Sequence, residues 1–440
     1  MKSAVVFIFL LFSSFTAYSQ VINLEQAREL ALANSRSLAR YESVIRSSVL
    51  DEKSQLYSML PQVSAGYSAS LNFLRDFEFV NPVDWFQAGA NISITQIVFQ
   101  GGKSFIQKAI SAIATESLRI DARSEYFNVL DAVDKAYYAV LEAAASLEAE
   151  ELSLQAAVLG LSIAEVRYSS GMINQGDYLK AMADKESREN SFNQSRRNLA
   201  ISMNRLKTLT AIKDTVELEH IAFNDYEDVI LYLAGITDEQ ASALFDEFWS
   251  IIISSNPSLA KAALSSERAK RNFTLSKRDY APTISATIFS STLSFLPSFG
   301  AAGTSGVSIR GIIPVDFWVM RNKTEKSRIS SEQSSIDYEN TELSLEQELQ
   351  NALFNLFSQA GLVISSRRSL EYTQRHFDYV MARYRLGQSS VSDLNEATSL
   401  FINSRNSLNR ASYGFLQNLS AMRSLCALDD EERLLEILLQ

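Results

Sequence analysis

The chain has 440 residues, 46% of them hydrophobic and 21% charged, and its mean hydropathy is near zero, a composition that excludes a disordered polymer. A net charge of −10 argues against nucleic acid as the partner, since a phosphate-binding surface needs clustered Lys and Arg. The single cysteine, Cys426, leaves no intramolecular disulfide, and His220 and His376 lie too far apart in sequence for a Cys/His metal cluster.

Residues 1–19 read as a secretory signal. Lys2 supplies a positive n-region, Val5 to Phe12 is an unbroken apolar stretch, and Ala17-Tyr-Ser19 is a small-x-small cleavage site, which predicts a mature chain beginning at Gln20. The apolar run is shorter than the ~18 to 20 residues that cross a bilayer, and no cysteine follows it to carry a lipid. No later segment reads as a transmembrane helix, so a mature chain that enters a membrane does so through strands.

The first repeat, residues 20–212, opens with a helix through Leu30-Ala-Leu-Ala-Asn-Ser-Arg-Ser-Leu-Ala39 and reaches Pro61. A strand hairpin follows over 62–99. Val63, Ala65, Tyr67, Ala69, Leu71 and Phe73 alternate with Gln62, Ser64, Gly66, Ser68, Ser70 and Asn72. The return strand sets Phe86, Ala88, Ala90, Ile92 and Ile94 against Gln87, Gly89, Asn91, Ser93 and Thr95. A strand of this length runs ~40 Å, and at a tilt of ~45° it covers the height of a hydrocarbon layer. The loop Leu74 to Asp84, with Pro82, reads as exposed.

Past the hairpin the period changes from two to about three and a half. Between Ser104 and Tyr168 there is no proline and one glycine, Gly160. Ile106, Ile110, Ile113, Ile120, Leu130, Val133, Tyr137, Val140, Ala144 and Leu147 follow coiled-coil spacing, which predicts one helix over 104–168, ~100 Å long. The turn Arg167-Tyr-Ser-Ser-Gly171 leads to a second helix over 177–210. Helices of this length bury their apolar stripe only against other long helices, and runs such as Ala143-Ala-Ala-Ser146 let their axes approach closely.

Residues 213–243 connect the halves, and 244–428 repeat the order. Ile251-Ile-Ile-Ser-Ser-Asn-Pro-Ser-Leu-Ala260 leads to Pro282, a hairpin over 283–317, a proline-free helix over 322–384, the turn Arg383-Tyr-Arg-Leu-Gly387 and a helix over 393–426; residues 429–440 form a tail. Ala39 and Ala260, like Pro61 and Pro282, are 221 residues apart, and Gly171 and Gly387 are 216 apart, so the halves are copies that differ in length across the hairpin. Ile284, Ala286 and Ile288 alternate with Thr283, Ser285 and Thr287, and Val307, Ile309, Gly311 and Ile313 with Ser308, Arg310 and Ile312, which puts Arg310 on the polar face. The loop Phe295 to Thr304 carries Pro297. Gly300-Ala-Ala-Gly-Thr-Ser-Gly306 lacks the Lys of a phosphate loop and reads as a loop tip.

Alternation alone suits a soluble sandwich as well as a membrane sheet, and three features favour the membrane. The polar face is small and uncharged apart from Arg310. Aromatic residues sit near the strand ends, at Phe73, Trp85, Phe86, Phe99, Phe317 and Trp318, where interfacial girdles form. The loops read as exposed. Two strands per repeat cannot close a barrel, so open sheet edges require further copies. A filament coiled coil would leave the signal and the hairpins unexplained. Neither histidine has a nucleophile and acid beside it in sequence, and the reading is of a non-enzyme without a cofactor.

The junction Gln96-Ile-Val-Phe-Gln-Gly-Gly-Lys103 and the turns Tyr168-Ser-Ser-Gly171 and Tyr384-Arg-Leu-Gly387 resemble those of the TolC-like outer membrane efflux proteins. Each turn is followed by Asp177 or Asp393 and then by Ala181 or Ala397, and the likeness covers essentially the whole mature chain. The resemblance implies a mainly α fold with a small β part, assembled as a homotrimer. Three copies of four strands would form one 12-stranded barrel in the outer membrane of a Gram-negative cell, continued through the periplasm by a hollow α-barrel of long helices. Segment 213–239 and the tail 429–440 would pack outside as an equatorial belt. The implied function is the passive exit duct of a tripartite efflux or type I secretion system. Its partners would be a periplasmic adaptor, an inner-membrane RND or ABC-type pump, and outer-membrane lipid. A stand-alone diffusion porin and a periplasmic coiled-coil scaffold are the alternatives; the two ~100 Å helices argue against the first and the hairpins against the second.

The resemblance also places the periplasmic tip of the tunnel at the Tyr-x-x-Gly turns, with Gly171, Gly387 and Tyr168 as tip residues for adaptor docking. Asp393 and Glu396, three apart on one helix face, match positions that form the narrow entrance in family members; in a trimer they make a ring of carboxylates suited to a cation-selective constriction. Asp393-Leu-Asn-Glu396 also reads as a capping box with Asp393 as N-cap, and the two readings are compatible. In the first repeat Asp177 holds the place of Asp393, but Lys180 replaces the second acid. Tyr384 matches the family's gate tyrosine, or packs as ordinary core. The family's basic gate residue is absent from its place, which holds Ser389, and Arg385 is the nearby substitute.

Overall fold

The computed structural model describes residues 20–71, 86–213, 216–293 and 302–439. The signal segment 1–19, Phe73, Trp85, the loop Leu74 to Asp84 and most of the loop Phe295 to Thr304 lie outside them. Each repeat opens with a pair of helices where the sequence suggested one. After β1 (Gln20–Ile22) come α1 (Leu24–Asn34) and α2 (Arg36–Tyr57). The break falls at Ser35, whose extended backbone and side-chain oxygen cap the second helix by accepting from the Leu38 N–H at 3.3 Å.

The first hairpin is β2 (Gln62–Leu71) and β3 (Phe86–Phe99), followed by α3 (Lys103–Ser169) and α4 (Gln175–Thr210). The connection holds β4 (Val216–Leu218), which pairs in parallel with β1, and α5 (Glu227–Ala234). The second repeat has α6 (Asp238–Ser255), α7 (Pro257–Lys277), β5 (Thr283–Leu293), β6 (Ala302–Ile312), α8 (Phe317–Arg385), α9 (Val391–Leu425) and a final α10 (Glu431–Leu439). Asn256 breaks α6 from α7 at the position equivalent to Ser35, with Pro257 at the first helical position, where a missing N–H costs nothing. At 67 and 69 residues, α3 and α8 each measure ~100 Å.

Several boundaries differ from the sequence reading. Ala302 to Gly306 belong to strand β6, not to a loop tip. The strand stops at Ile312, and α8 begins five residues earlier than expected, so Phe317 and Trp318 open a helix instead of ending a strand. Helices α4 and α9 begin two residues earlier than expected, at Gln175 and Val391.

The four long strands form one antiparallel sheet in the order β2-β3-β5-β6. Register puts Val63, Ile94, Ile288 and Val307 in one row across one face, and Gln62, Thr95, Thr287 and Ser308 in a row across the other. The polar face is knitted by hydroxyl pairs, Ser64 with Ser93 at 2.7 Å and Thr95 with Thr287 at 3.1 Å. The apolar face is bare: Val63 and Val307 are each 70% exposed and Ile309 is 77% exposed. Among the described residues, the outer margins of β2 and β6 have no partner strand.

Helices α2, α3, α7 and α8 leave or enter the sheet in the order of the strands they adjoin and pack side by side in that order. Asp279, just before β5, holds the junction together by pairing with Lys103 at 2.9 Å and Lys323 at 2.5 Å. Halfway down, α1, α3, α5, α6, α8, α9 and α10 share the main core, which buries Tyr137, Tyr138, Phe248, Leu349, Leu356, Phe415 and Leu434. The Tyr137 hydroxyl reaches the β1–β4 region, donating to Ile22 O at 3.1 Å and Glu219 O at 2.9 Å.

An ionic cluster sits inside this core. Asp134 of α3, fully buried, accepts from Arg28 Nε of α1 at 2.7 Å, from Arg423 Nη2 of α9 at 2.8 Å and from Ser420 Oγ at 2.7 Å. Arg28 also donates to Glu431 of α10 at 2.9 Å, which the Tyr226 hydroxyl reaches at 2.9 Å. Burial opposes the Arg28 charge, but hydrogen bonding and attraction to Asp134 and Glu431 outweigh it and hold its pKa above the ordinary value. The cluster joins the first helix to the last.

Two measurements check this account. Asp134→Ala removes the carboxylate shared by two buried guanidinium groups, leaving Glu431 as their nearest acceptor, and is expected to lower stability by about 3 kcal/mol; an unchanged chemical-unfolding midpoint would remove the cluster from the energetics. Ala211 and Ala427 end α4 and α9 with φ of +58° and +50°, the left-handed region that penalises a Cβ. Ala211 is exposed, so Ala211→Gly should raise stability by about 1 kcal/mol. Ala427 packs against Phe127 and Leu130, so the same change there should gain less.

Candidate functional site at the helix-hairpin tips

At the far end of the long helices the two Tyr-x-x-Gly turns close the α3–α4 and α8–α9 hairpins. Each helix ends in a Schellman motif, with Met172 N–H donating to Arg167 O at 2.8 Å and Gln388 N–H donating to Arg383 O at 2.9 Å. The motif needs a left-handed residue, and Gly171 and Gly387 supply it at φ of +73° and +81°. The spacing of the turn is thus a helix stop, with Tyr placed three residues before the glycine in each copy.

The following helices are capped in matched ways. Asn174 accepts from the Asp177 N–H at 2.9 Å, and Ser390 Oγ accepts from the Asp393 N–H at 3.1 Å. Asp393 therefore stands at the third helical position, and Ser390 is the N-cap, correcting the reading of Asp393 as the cap. The Asp393 carboxylate accepts from the Ser390 N–H at 2.9 Å and from the Ser389 hydroxyl at 3.0 Å. These bonds, Ser390 first, hold its pKa below the usual carboxylate range. The cap's contribution is present above the ordinary aspartate pKa and fades as pH falls through the lowered one.

Asp393 and Glu396 are exposed in the single protomer, and Asp177 is half-buried. Lys180, at the position equivalent to Glu396, donates to Ser392 Oγ at 2.6 Å and ties the start of α9 to α4. Tyr168 stacks on Tyr178 with ring centroids 5.0 Å apart. Tyr384 is buried, and its hydroxyl donates to Gly160 O of α3 at 3.0 Å. Burial pushes the Tyr384 phenol pKa up, with Arg167 partly opposing. Gly160 matters here because a side chain would meet Leu394 of α9 at 3.2 Å where the helices pack.

The cation beside Tyr384 is Arg167 of the first repeat. Its guanidinium lies 4.7 Å from the Tyr384 ring centroid, donates to Tyr384 O, and rests over the bare Gly387 backbone. Arg385, the substitute suggested by the sequence, is exposed and makes no ion pair among the described residues. Arg167 was legible in principle, since both turns carry Arg immediately before Tyr. In the second copy, Arg383 serves its own turn by donating to Gln388 O at 3.0 Å. Among the described residues no group of three His, Cys, Asp or Glu is placed to hold a metal.

A sheet with an apolar outer face and two open margins, continuous with helices of ~100 Å, defines a class: channel proteins whose strands sit in a membrane and whose helices project from it. A family model described as outer membrane efflux protein matches residues 27–211 and 249–427, one match per repeat, and the chain belongs to that family. It is an outer-membrane protein and acts as an exit duct. The two matches end at the equivalent residues Ala211 and Ala427.

Outer membrane protein TolC of Escherichia coli (strain K12) is 21% identical over 452 residues, covering 97% of this chain and 86% of TolC. The crystal structure of the Campylobacter jejuni CmeC outer membrane channel superposes with a TM-score of 0.76 at 15% identity, covering 95% of this chain and 89% of CmeC. The open state of the Neisseria gonorrhoeae MtrE outer membrane channel superposes with a TM-score of 0.68 at 16% identity, covering 92% and 88%. Likeness at these identities shows the fold.

Arg167→Ala should loosen the contact between the two hairpins near the tips while leaving the core intact. Amide exchange is expected to rise around residues 160–171 and 380–388, and protection unchanged in both segments would rule Arg167 out as a clasp.

Proposed function

We propose that three copies assemble into a passive conduit. The observation that carries this reading is the four-stranded sheet with two unpaired margins and a bare apolar face. Three such sheets, joined β6 to β2, make a closed 12-stranded barrel with the apolar face toward lipid and the polar face toward water. The helices support the same association. Flanking helix α2 has no buried residue in the single protomer, and α8 leaves Ile336, Leu343 and Phe354 exposed along its length, as expected of faces that wait for a neighbour.

The helical part would continue the barrel as a tunnel, with segment 213–239 and the tail 429–440 as a belt at mid-height; α5 and α10 pack on each other there. At the tip, Arg167 and Tyr384 hold the two hairpins of one protomer together, and opening would release this clasp. A periplasmic adaptor would dock on the turns at Tyr168, Gly171 and Gly387, beside which Met172 and Leu386 are exposed, and an inner-membrane RND or ABC-type pump would supply the energy. The duct performs no reaction. Asp393 and Glu396 would ring the entrance and favour cations.

Detergent-dependent sizing tests the assembly: a trimer is expected, and a water-soluble monomer would overturn it. In planar bilayers the Asp393→Ala, Glu396→Ala double variant should lower cation preference and weaken divalent block by roughly tenfold, and unaltered selectivity would reject the ring.

A further inference from the structure

The polar face of the sheet is lined chiefly by small side chains, Ser, Thr, Gly and Asn, with Ile97 and Ile312 near its helix end and one charge. Arg310 is the only charged residue on the four described long strands, and among the described residues it has no carboxylate partner. It is exposed and lies opposite Ser285, near the end of β6 that leads into the helices. The same face carries a single aromatic ring among the described residues. Phe289 breaks the alternation of β5, because register sets it between Ser93 and Gly306 on the polar side. Its ring lies across the bare backbone of Gly306, with the Cζ atom 3.1 Å from where a side chain would begin. Half of Phe289 is therefore packed, and the rest is open to the face.

Gly306, under the ring, and Arg310 are four residues apart on β6, so their backbone positions lie ~14 Å apart along the wall. Between them run the hydroxyls of Thr95, Thr287 and Ser308. A guanidinium without a counter-charge presents its donor fork to any carboxylate or sulfonate that passes. An exposed ring at this distance offers an apolar contact for the body of the same molecule. Neither group is needed to pave a polar wall, and both cost something there: the charge is unpaired and the ring is wet.

We propose that Arg310 and Phe289 form a wall subsite for amphiphilic anions, with a sulfonate or carboxylate head on Arg310 and an apolar body against Phe289. The inference rests on the trimeric-duct reading, which turns this face toward the lumen. A trimer then carries three such subsites at one height. Their field reaches about 10 Å at 0.1 M salt, so the head contact weakens as salt is raised.

The test uses the full trimer in planar bilayers, with biphenyl-4-sulfonate added on the barrel side so that the probe need not pass the tip. Wild type is expected to show concentration-dependent current interruptions. Arg310→Gln should raise the half-blocking concentration about tenfold, the worth of one hydrogen bond to a charged group. Phe289→Ser should raise it about fivefold, the worth of roughly one buried methylene or two. Methanesulfonate, which is all head, should interrupt far less. Phe289→Leu, which keeps an apolar cover on Gly306, stands in if the serine variant does not assemble, and should fall between.

Equal half-blocking concentrations in wild type and both variants would overturn the subsite. So would a loss confined to Arg310→Gln with methanesulfonate as effective as the biphenyl probe, since that describes a diffuse cationic ring. Normal conductance without block sinks the subsite alone, whereas a wild type that forms no trimer and no channel refutes the duct itself.

Discussion

Backbone amides at the margin of a sheet have no water to turn to inside a hydrocarbon layer, and each one left unpaired costs several kcal/mol. In this chain that constraint falls on β2 and β6, the outer strands of a four-stranded sheet whose outward face is Val63, Ile94, Ile288, Val307 and Ile309. One face of the sheet needs lipid and both margins need strands. The duplication supplies four strands where one repeat supplies two, and closure needs more. Because α2, α3, α7 and α8 pack in the order of the strands they adjoin, whatever closes the sheet also closes the layer of helices beneath it.

The two repeats have kept their backbones and changed their side chains. Ser35 and Asn256 break helices at equivalent places, Asn174 and Ser390 cap them, and Gly171 and Gly387 end them. What each copy does with these fixtures differs. Arg167 crosses to grip Tyr384 of the other copy, while Arg383 stays on its own turn. Lys180 binds Ser392, while its counterpart Glu396 stays exposed. The tip is therefore asymmetric in chemistry although it is nearly symmetric in shape. Midway along the molecule, Asp134 does for the chain ends what Arg167 does for the tips, gathering Arg28 and Arg423 from opposite ends of the sequence into one dry cluster.

Much of this was legible in the residues because the signals were local. Alternation located the strands, proline-free coiled-coil spacing located α3 and α8, and the repeat offset located the turns. The differences between pattern and structure are also local in origin. The apolar pattern continues on both sides of Asn34-Ser35 and of Asn256-Pro257, so it does not mark the helix breaks there. Asp393 and Glu396 satisfy the capping-box pattern as well as Ser390 and Asp393 do, so the pattern by itself does not place the cap at Ser390. Phe317 and Trp318 suit an interface whichever element bears them, so they do not mark the strand end at Ile312.

Composition, period and repetition were enough to determine the kind of molecule: long helices joined to amphipathic strands, in two copies, with the polar turns at one end. These are properties of a residue and its near neighbours, which a linear sequence preserves. Tertiary structure alone decided which arginine meets Tyr384, that Asp134 is buried between two guanidinium groups, and that Phe289 covers Gly306 on the strand that carries Arg310. Each of these depends on bringing together residues far apart in the chain or on the register of one strand against the next, and a shift of a single residue in register would turn every side chain of a strand to the opposite face.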